Sequence, residues 1–411
     1  MTTPATAPAA CRTALASSPI LRVPTLARRR DKVVAVGALL LVAGYCAMRR
    51  LMIPPAPGGL LWTADDLQRV CEDDATKVLC FDNNNATAHH QATCHSPIGA
   101  AAAYDFHEQG FMKVGQLVPP AAIRALREAA LGMSPVAAPI YGMLTGYKTW
   151  ELTPWLRRPE FWAMASRGPT AGIVSKLFGG KPVRLLHDGF IGAPYSTTPI
   201  TSGWHFGTFS LVQNDTDAIT VWIPLQALSS GTGGGLALAD KRRVSADCAA
   251  HWVEKEMAHH LGARRAAECV QELTDMKQVH DLAVGDALVF DKWTFHNPEP
   301  LRDGTLEGNM RWAYIMRFVP ADVKYAVDPQ AVKTKWLIYQ YLVGAWSTFC
   351  EHGLKKGDVL NSTCFPEVYP RSATSDHARV ERGGTAGFRF TSLSSSWIMG
   401  EMLKYILGIT V

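Results

Sequence analysis

Apolar positions with helical spacing appear first in the segment PPAAIRALREAA. A helix is predicted to open at Pro119-Pro120, because proline is favoured in the first helical turn and Ile123, Leu126 and Ala130 then share one face. A second helical region, RRPEFWAMASRGPTAGIVSKLFGG, is interrupted by its internal Gly-Pro pair and closed by its terminal double glycine. The pattern therefore predicts a helical layer in this part of the chain.

After the double glycine the apolar pattern changes to a period of two, which is the period of β-strands. Short strand-like runs follow one another, separated by Gly, Pro, Asn and Asp: VRLLHDGFIGAP, GWHFGTFSLV, AITVWIPLQAL, GDALVFD and RWAYIMRFVP. This order, with helices first and many short strands after them, is typical of an α+β fold whose β part is a sandwich or jelly roll.

The N-terminal segments differ in composition from the rest of the chain. Residues 1–32 are rich in Ala, Thr, Ser, Pro and Arg and are predicted to be a disordered or targeting tail. Residues 33–53 are predicted to be a transmembrane anchor, because Val33–Met48 carries no charge and flanking Lys and Arg stems extend its apolar reach toward the roughly 20 residues that a bilayer requires. A cleaved signal or transit sequence and a buried helix are the alternatives.

Flanking charge, cysteines and glycosylation sequons bear on the orientation of this anchor. Basic residues before it weakly favour a cytosolic N-terminus. Seven of the nine cysteines follow the anchor, and so do three Asn-x-Ser/Thr sequons, at Asn85, Asn214 and Asn361. These features predict a single-pass membrane protein with its catalytic domain in the lumen of the ER or Golgi. A plastid is the alternative, because the leader is poor in acidic residues.

Three segments follow the anchor. Residues 54–100 are predicted to be a polar, cysteine-bearing stalk, residues 101–322 the β domain, and residues 323–411 a C-terminal helical extension that ends in a core helix or an interfacial membrane segment. The formal net charge of +5 is small and the basic residues are mostly scattered. No nucleic-acid partner is therefore predicted, since such binding needs a clustered basic face.

A small set of residues in the strand region are candidates for chemistry. In WHFGTFS, His205 and Gly207 are two residues apart and share a strand face. His296 follows the run GDALVFD, and Arg311 opens the last strand-like run. Arg317 lies on the same face as Arg311 but about 20 Å further along the strand, so one carboxylate cannot bind both, and the arginine nearer in sequence to the second histidine is preferred. For either histidine alone, a hydrogen-bonded core residue is the alternative.

From about Tyr104 to Pro320 the chain resembles the phytanoyl-CoA dioxygenase-like family of non-haem Fe(II) and 2-oxoglutarate-dependent oxygenases. The resemblance depends on an ordered set of segments: YDFHEQGFMKVGQLVPPAAIRALREA, GIVSKLFGGKPVRLLHDGFIGAP, WHFGTFS, ITVWIPLQALSSGTGGGLAL, GDALVFDKWTFH and NMRWAYIMRF. It implies a double-stranded β-helix core, of jelly-roll or cupin type, flanked by helices.

The same resemblance implies a role for each candidate side chain. His205 and His296 would bind Fe(II) through imidazole nitrogen, and Arg311 would pair with the distal carboxylate of 2-oxoglutarate, with O2 as the oxidant. All three are expected in one pocket. Imidazoles with open coordination positions suit Fe(II) oxygen chemistry.

The family carries Asp or Glu where this chain has Gly207. Asp215, Asp217 and Asp291 could reach a metal from loops, but each is more simply a turn or surface residue. A missing carboxylate is the pattern of the family's halogenating subgroup, in which chloride or bromide takes the empty place and restores the charge. We therefore predict halogenation of an unactivated aliphatic carbon. A hydroxylase with water in that place and a non-catalytic binding protein are the alternatives.

No residue identifies the substrate, but the predicted anchor and the abundant Trp and Phe favour an aliphatic or lipid-like molecule. Two weaker motifs point elsewhere. The sequence DTD at Asp215–Asp217 is typical of lumenal glycosyltransferase metal sites, although three residues are a weak signal. The basic triplet Lys241–Arg243 could meet a sulfate, a phosphate or a lipid headgroup, or could be a solvated loop.

Overall fold

The computed structural model describes residues 100–132, 149–152, 154–156, 158–194, 203–207, 212, 217–249, 267–302, 310–326, 354–362 and 364–370. All of them belong to one compact unit, formed by Leu60–Val327 and His352–Val380. The predicted tail, anchor and stalk lie outside the described residues, except for residue 100. Within the described ranges, no helix is both long enough and apolar enough to cross a membrane.

The described residues include ten strands. In chain order they are β1 (Phe111–Val114), β2 (Thr149–Leu152), β3 (Val183–Pro194), β4 (Ile219–Pro224), β5 (Leu236–Leu238), β6 (Gln278–Val279), β7 (Ala287–Asp291), β8 (His296–Pro298), β9 (Met310–Pro320) and β10 (Glu367–Tyr369).

The strands form two antiparallel sheets. The large sheet has the order β1-β7-β4-β9-β3-β10, with β2 also paired to β3, and the small sheet has the order β6-β5-β8. A backbone bridge between His205 and His296 adds the segment 203–207 to the small sheet beside β8. From β3 to β9 the chain thus crosses repeatedly between the two sheets, which is the connectivity expected of a jelly roll wound as a double-stranded β-helix.

The two sheets pack face to face around an apolar core. Residues of both sheets contribute to it: Phe111, Ile191, Trp222, Leu228, Leu236, Leu238, Leu282, Leu288, Phe290 and Ala313. We call the side of the large sheet that carries these residues its inner face. Because strand side chains alternate, every second residue of β9 from Arg311 to Arg317 lies on this inner face.

Helices cover the opposite, outer face of the large sheet. They are α1 (Ala100–Gln109), α2 (Pro120–Leu131), α3 (Pro159–Arg167), α4 (Thr170–Leu177) and α5 (Ala267–Asp275), of which α5 lies instead against the small sheet. The ring of Phe161 on α3 lies 5.0 Å from that of Tyr314 on β9. The hydroxyl of Thr170, at the start of α4, contacts the sulfur of Met316 at 3.7 Å.

The predicted α+β class is confirmed, and the helices that flank the sheet begin and end close to where the pattern places them. α2 buries Ile123, Leu126 and Ala130. Gly168 separates α3 from α4. Glycine is required at this position, because any side chain would collide with the carbonyl of Met164. The region beyond residue 322, predicted to be a helical extension, also contributes β10 to the large sheet. The rest of that extension lies mostly outside the described residues.

Candidate functional site

His205 and His296, which we call the histidine pair, lie side by side on neighbouring segments of the small sheet. Each donates its backbone N–H to the carbonyl of the other, at 3.0 Å and 2.7 Å. Their ring centroids are 4.2 Å apart. This separation meets the requirement that both imidazoles reach one metal ion, since each metal–nitrogen bond is about 2.1 Å long.

Local hydrogen bonds fix the tautomer of both imidazoles. Nδ1 of His205 lies 2.8 Å from the carbonyl oxygen of Gly203, and Nδ1 of His296 lies 2.9 Å from that of Thr294. A carbonyl oxygen only accepts, so each Nδ1 carries the proton and each Nε2 carries the lone pair. This is the arrangement in which metal-binding histidines are commonly held.

Apolar packing positions the histidine pair on two sides. The His296 ring lies 4.7 Å from the ring of Phe290 on the inner face. On the other side of the small sheet, Trp204, Phe206 and Phe295 belong to a second buried cluster. The indole N–H of Trp204 donates to the hydroxyl of Thr274 on α5 at 3.1 Å. The strand that carries the first histidine is therefore held to α5.

Carboxylates do not complete a metal site in the described part of the chain. Gly207 is buried, two residues beyond His205. Among the described residues, no group of three or more His, Cys, Asp and Glu side chains could hold a metal ion. Asp291 forms an ion pair with Lys241 and accepts a hydrogen bond from the hydroxyl of Thr294, so it serves the turn before β8. Asp217 is exposed, and residue 215 lies outside the described ranges.

Arg311 is buried in the interior, at a distance from the histidine pair. Its Nη1 donates to the carbonyl oxygen of Gly234 at 3.1 Å. Gly234 lies four residues before Leu238, and Leu238 pairs with His296. At about 3.3 Å per residue, the carbonyl of Gly234 that the guanidinium contacts is therefore roughly 13 Å along the sheet from His296.

A second arginine occupies the inner face nearer the histidine pair. Phe290, whose ring contacts His296, pairs with Thr220, and Thr220 pairs with Arg317. Arg317 pairs in turn with His187 of β3, and its Nη1 lies 3.0 Å from the imidazole Nε2 of that residue. Burial lowers the pKa of Arg317 to about 10. Burial, and then this cation, lower the pKa of His187 well below its usual range, so the imidazole is neutral.

The structure brings the two predicted histidines together and leaves the predicted arginine on the same interior. The sequence motifs identify Arg317 only as a competitor for the same carboxylate and do not identify His187 as its partner, because the strand pattern of β3 does not show which of its residues face inward. The disulfide between Cys248 and Cys269 was also not specified. The even spacing of His187 and the buried Ile191 along β3 is the signal that could have placed His187 on the inner face.

The basic triplet at Lys241–Arg243 is largely neutralised in the structure. Lys241 pairs with Asp291, and Arg242 forms several hydrogen bonds with the carboxylate of Asp240. These side-chain bonds with Arg242 are the main reason that the pKa of Asp240 is lowered. The triplet therefore stabilises its own turn, and the headgroup-binding reading gains no support from these contacts.

Comparisons with known proteins identify no family for this chain. No family model matches it, and no curated protein matches it. Among solved structures it is similar to SnoK, a non-haem alpha-ketoglutarate-dependent carbocyclase from nogalamycin biosynthesis, with 18% identity, 66% of this chain and 96% of that chain covered, and a TM-score of 0.46.

Two further solved structures show a comparable likeness. The epimerase SnoN, in complex with Fe3+, alpha-ketoglutarate and nogalamycin RO, is 15% identical over 65% of this chain and 96% of that chain, with a TM-score of 0.46. HygX from Streptomyces hygroscopicus, with nickel and 2-oxoglutarate bound, is 15% identical over 53% of this chain and 85% of that chain, with a TM-score of 0.37. At such TM-scores these likenesses carry no argument about the reaction or the ligands of this chain.

Proposed function

We propose that this chain is a membrane-anchored, Fe(II) and 2-oxoglutarate-dependent oxidoreductase that halogenates an unactivated aliphatic carbon, with chlorination as the first reaction to test. The observation that carries the proposal is the histidine pair, with both Nδ1 atoms anchored and no carboxylate ligand in the described part of the site. Two neutral imidazoles leave most positions of an iron ion open for other ligands.

The donor set fits the metal, and each side chain has a stated task. His205 and His296 would hold Fe(II) through Nε2, with their orientation set by the carbonyls of Gly203 and Thr294. Arg311 would bind the distal carboxylate of 2-oxoglutarate in the interior, since a guanidinium can bind a carboxylate in a bidentate manner. When bound, iron with this cosubstrate and O2 supplies the oxidising power for abstraction of hydrogen from carbon. Phe290, in the apolar core, covers one side of His296 and would shield that side of the site from water.

Halide binding accounts for Gly207. This residue is buried and lies two residues after His205, so a side chain at this position would be on the same face as that imidazole and would point to a bound metal. Glycine contributes neither a ligand nor a negative charge. A chloride or bromide ion bound there would supply both, and halide would then be available for transfer to the substrate carbon in place of hydroxyl.

Two features support our proposals for the substrate and the compartment. An N-terminal anchor favours an aliphatic or lipid-like substrate that is taken from a membrane. The disulfide between Cys248 and Cys269 supports an oxidising compartment, such as the lumen of the ER or Golgi, because such bonds are rare in the cytosol. Cys364 is disulfide-bonded as well.

Product analysis with and without chloride tests the proposal. Full-length protein, supplied with Fe(II), 2-oxoglutarate and a panel of fatty acids and alcohols, should yield chlorinated product by mass spectrometry, and Gly207→Asp should abolish it by placing a carboxylate against the halide. Hydroxylated product alone, at a rate that is independent of chloride and bromide, would establish the hydroxylase alternative. Protein that binds neither Fe(II) nor 2-oxoglutarate would instead favour the non-catalytic alternative.

A further inference from the structure

The turn between β7 and β8 is held by two segments that are distant from it in sequence. Gly110 follows α1, and its carbonyl accepts from the backbone N–H of Asp291 at 2.9 Å and from the hydroxyl of Thr294 at 2.7 Å. Lys241, in the basic triplet, places its ammonium 2.5 Å from Oδ2 of Asp291. We call Gly110, Lys241, Asp291 and Thr294 the turn network. It binds the turn that precedes His296 to α1 and to the triplet.

Within the turn, the carboxylate of Asp291 binds the residues that lead to the histidine. Its Oδ1 accepts from the backbone N–H of Trp293 at 3.0 Å and from the hydroxyl of Thr294 at 2.8 Å. The hydroxyl has one hydrogen, so this carboxylate and the carbonyl of Gly110 share it. Thr294 is buried, and its own carbonyl oxygen accepts from Nδ1 of His296 at 2.9 Å. The turn network thus ends on the atom that sets the orientation of this imidazole.

Close packing around Gly110 leaves the turn network little room for movement. This glycine has a φ of +95°, in the left-handed region that side chains disfavour. A Cβ atom there would collide with the hydroxyl of Thr294 and would lie 3.0 Å from Cδ and Cε of Lys241. The residue at the end of α1 must therefore lack a side chain for both partners to reach the turn.

The other imidazole of the histidine pair has a different anchor. Nδ1 of His205 donates to the carbonyl of Gly203, which is exposed and has no side chain of its own to hold it in place. The two imidazoles thus make the same hydrogen bond to carbonyls that are supported differently. A change in the turn network should therefore affect His296 and spare His205, which provides an internal control.

We propose that the ion pair between Lys241 and Asp291 positions His296 for metal binding by holding Thr294 in place. The two charged side chains are 29% and 17% exposed, and an ion pair that water can reach adds little to folding stability. Its effect on the imidazole is more direct, because Thr294 joins Asp291 to Nδ1. The inference rests on the proposed function, in which His296 holds Fe(II). Lys241, Asp291 and Thr294 are positioning residues, since they act through the histidine.

Nitrogen NMR of metal-free, full-length protein labelled at histidine tests this positioning directly. Long-range proton–nitrogen spectra show which imidazole nitrogen carries the proton, and His205→Ala and His296→Ala variants assign the two signals. In wild-type protein the proton of His296 should be on Nδ1. Asp291→Ala should give a mixture of both tautomers at His296, because the acceptor carbonyl is no longer held. The signal of His205 should not change.

Fe(II) affinity gives a second readout, and its sign separates positioning from charge. Lys241→Met removes a positive charge, which by charge alone would tighten the binding of a cation. Positioning predicts the opposite result in an anaerobic calorimetric titration. Lys241→Met should weaken Fe(II) binding by up to about 10-fold, and Asp291→Ala by about 10- to 100-fold, as for residues that support a metal ligand. Lys241→Arg keeps the ion pair and should stay close to wild type.

Matched variants separate the ion pair from the net charge of the triplet. Arg243→Met removes an exposed charge from the same triplet. It should leave the tautomer of His296 unchanged and should not weaken Fe(II) binding. The double variant Lys241→Met and Asp291→Ala should bind Fe(II) no more weakly than Asp291→Ala alone, because both changes break the same ion pair. Urea unfolding shows whether each variant is folded under the conditions of the titration.

Several results would overturn the inference. An unchanged tautomer of His296 in folded Asp291→Ala and Lys241→Met variants would do so, and so would tighter Fe(II) binding in Lys241→Met. An equal change at His205 would do so as well, because it would indicate a general loosening of the small sheet. If Asp291→Ala fails to fold, Lys241→Met still tests the inference, since it alters a partly exposed side chain. Failure of the proposed function is distinct: wild-type protein would not bind Fe(II), while the tautomer of His296 still depended on the ion pair.

Discussion

At the scale of the residue, the two histidines are held by the same local arrangement. Each imidazole donates from Nδ1 to the carbonyl oxygen two residues earlier in its own segment. The orientation of each ring is therefore set within three residues, and only the backbone bridge between the two segments brings the rings together. The sequence identifies both residues through their motifs, but the tautomer depends on backbone geometry that the residue order does not reveal.

Asp188 is a buried acid on the outer face of β3 and gives the first prediction. Burial raises its pKa to about 8, although the Tyr314 hydroxyl, at 2.8 Å, and the backbone N–H of Trp155 donate to its carboxylate. The folded state thus holds this proton more tightly than the unfolded chain, in which an aspartic acid titrates near about 4. The stabilising contribution is complete below about pH 4 and is lost as the pH rises toward about 8.

Asp188→Asn keeps an acceptor for Tyr314 and cannot ionise. Thermal unfolding of the variant and the wild-type protein should be compared at intervals from about pH 5 to about pH 8. The melting temperature of the variant should rise relative to that of the wild type across this range, by several degrees at the alkaline end. Two curves that stay parallel would show that the acid is not protonated in the folded protein.

At the scale of the element, strand length separates what the sequence predicts from what it does not. β3 and β9 are long, at 12 and 11 residues, and are recognised nearly to the residue. β5 and β6 have three and two residues, and a segment of that length has no period of its own. They exist because each pairs with a neighbour across the small sheet. The side of the histidine pair that faces α5 was unpredictable for the same reason.

The disulfide between Cys248 and Cys269 supports the small sheet and gives a second prediction. Both residues lie in the cluster that contains Trp204, Phe206 and Phe295, next to the histidine pair in sequence. The bond closes a chain separation of 21 residues, which is worth about 3 kcal/mol of stability. The double variant Cys248→Ser and Cys269→Ser should lose about this much free energy of unfolding in urea and should bind Fe(II) more weakly.

Reductant provides the control for this second prediction. The double variant should be insensitive to added reductant at this bond, whereas the wild-type protein should move toward the stability of the variant. If the double variant retained both wild-type stability and wild-type metal affinity, the bond would have no role in supporting the site.

At the scale of the whole molecule, the location of the chain remains a prediction that glycosylation can test. Asn361 is exposed, and its side-chain oxygen accepts a hydrogen bond from Arg184 at 3.2 Å, which leaves the amide nitrogen to carry a glycan. Asn85 and Asn214 lie outside the described residues. If the domain is lumenal, glycosidase treatment of protein expressed in eukaryotic cells should increase its mobility on a gel, and Asn361→Gln should reduce the shift. Unchanged mobility, together with free thiols at every cysteine, would place the domain in the cytosol or a plastid.

The most direct test of the account is an anaerobic titration of full-length protein with Fe(II) and 2-oxoglutarate, followed by optical absorption with and without chloride. The account predicts an absorption band that requires both ligands, is lost in His296→Ala, and forms at lower 2-oxoglutarate concentration when chloride is present. In Gly207→Asp the band should no longer respond to chloride. A band that forms identically with and without chloride in the wild-type protein would contradict the halide site, and the absence of any band would contradict the iron site itself.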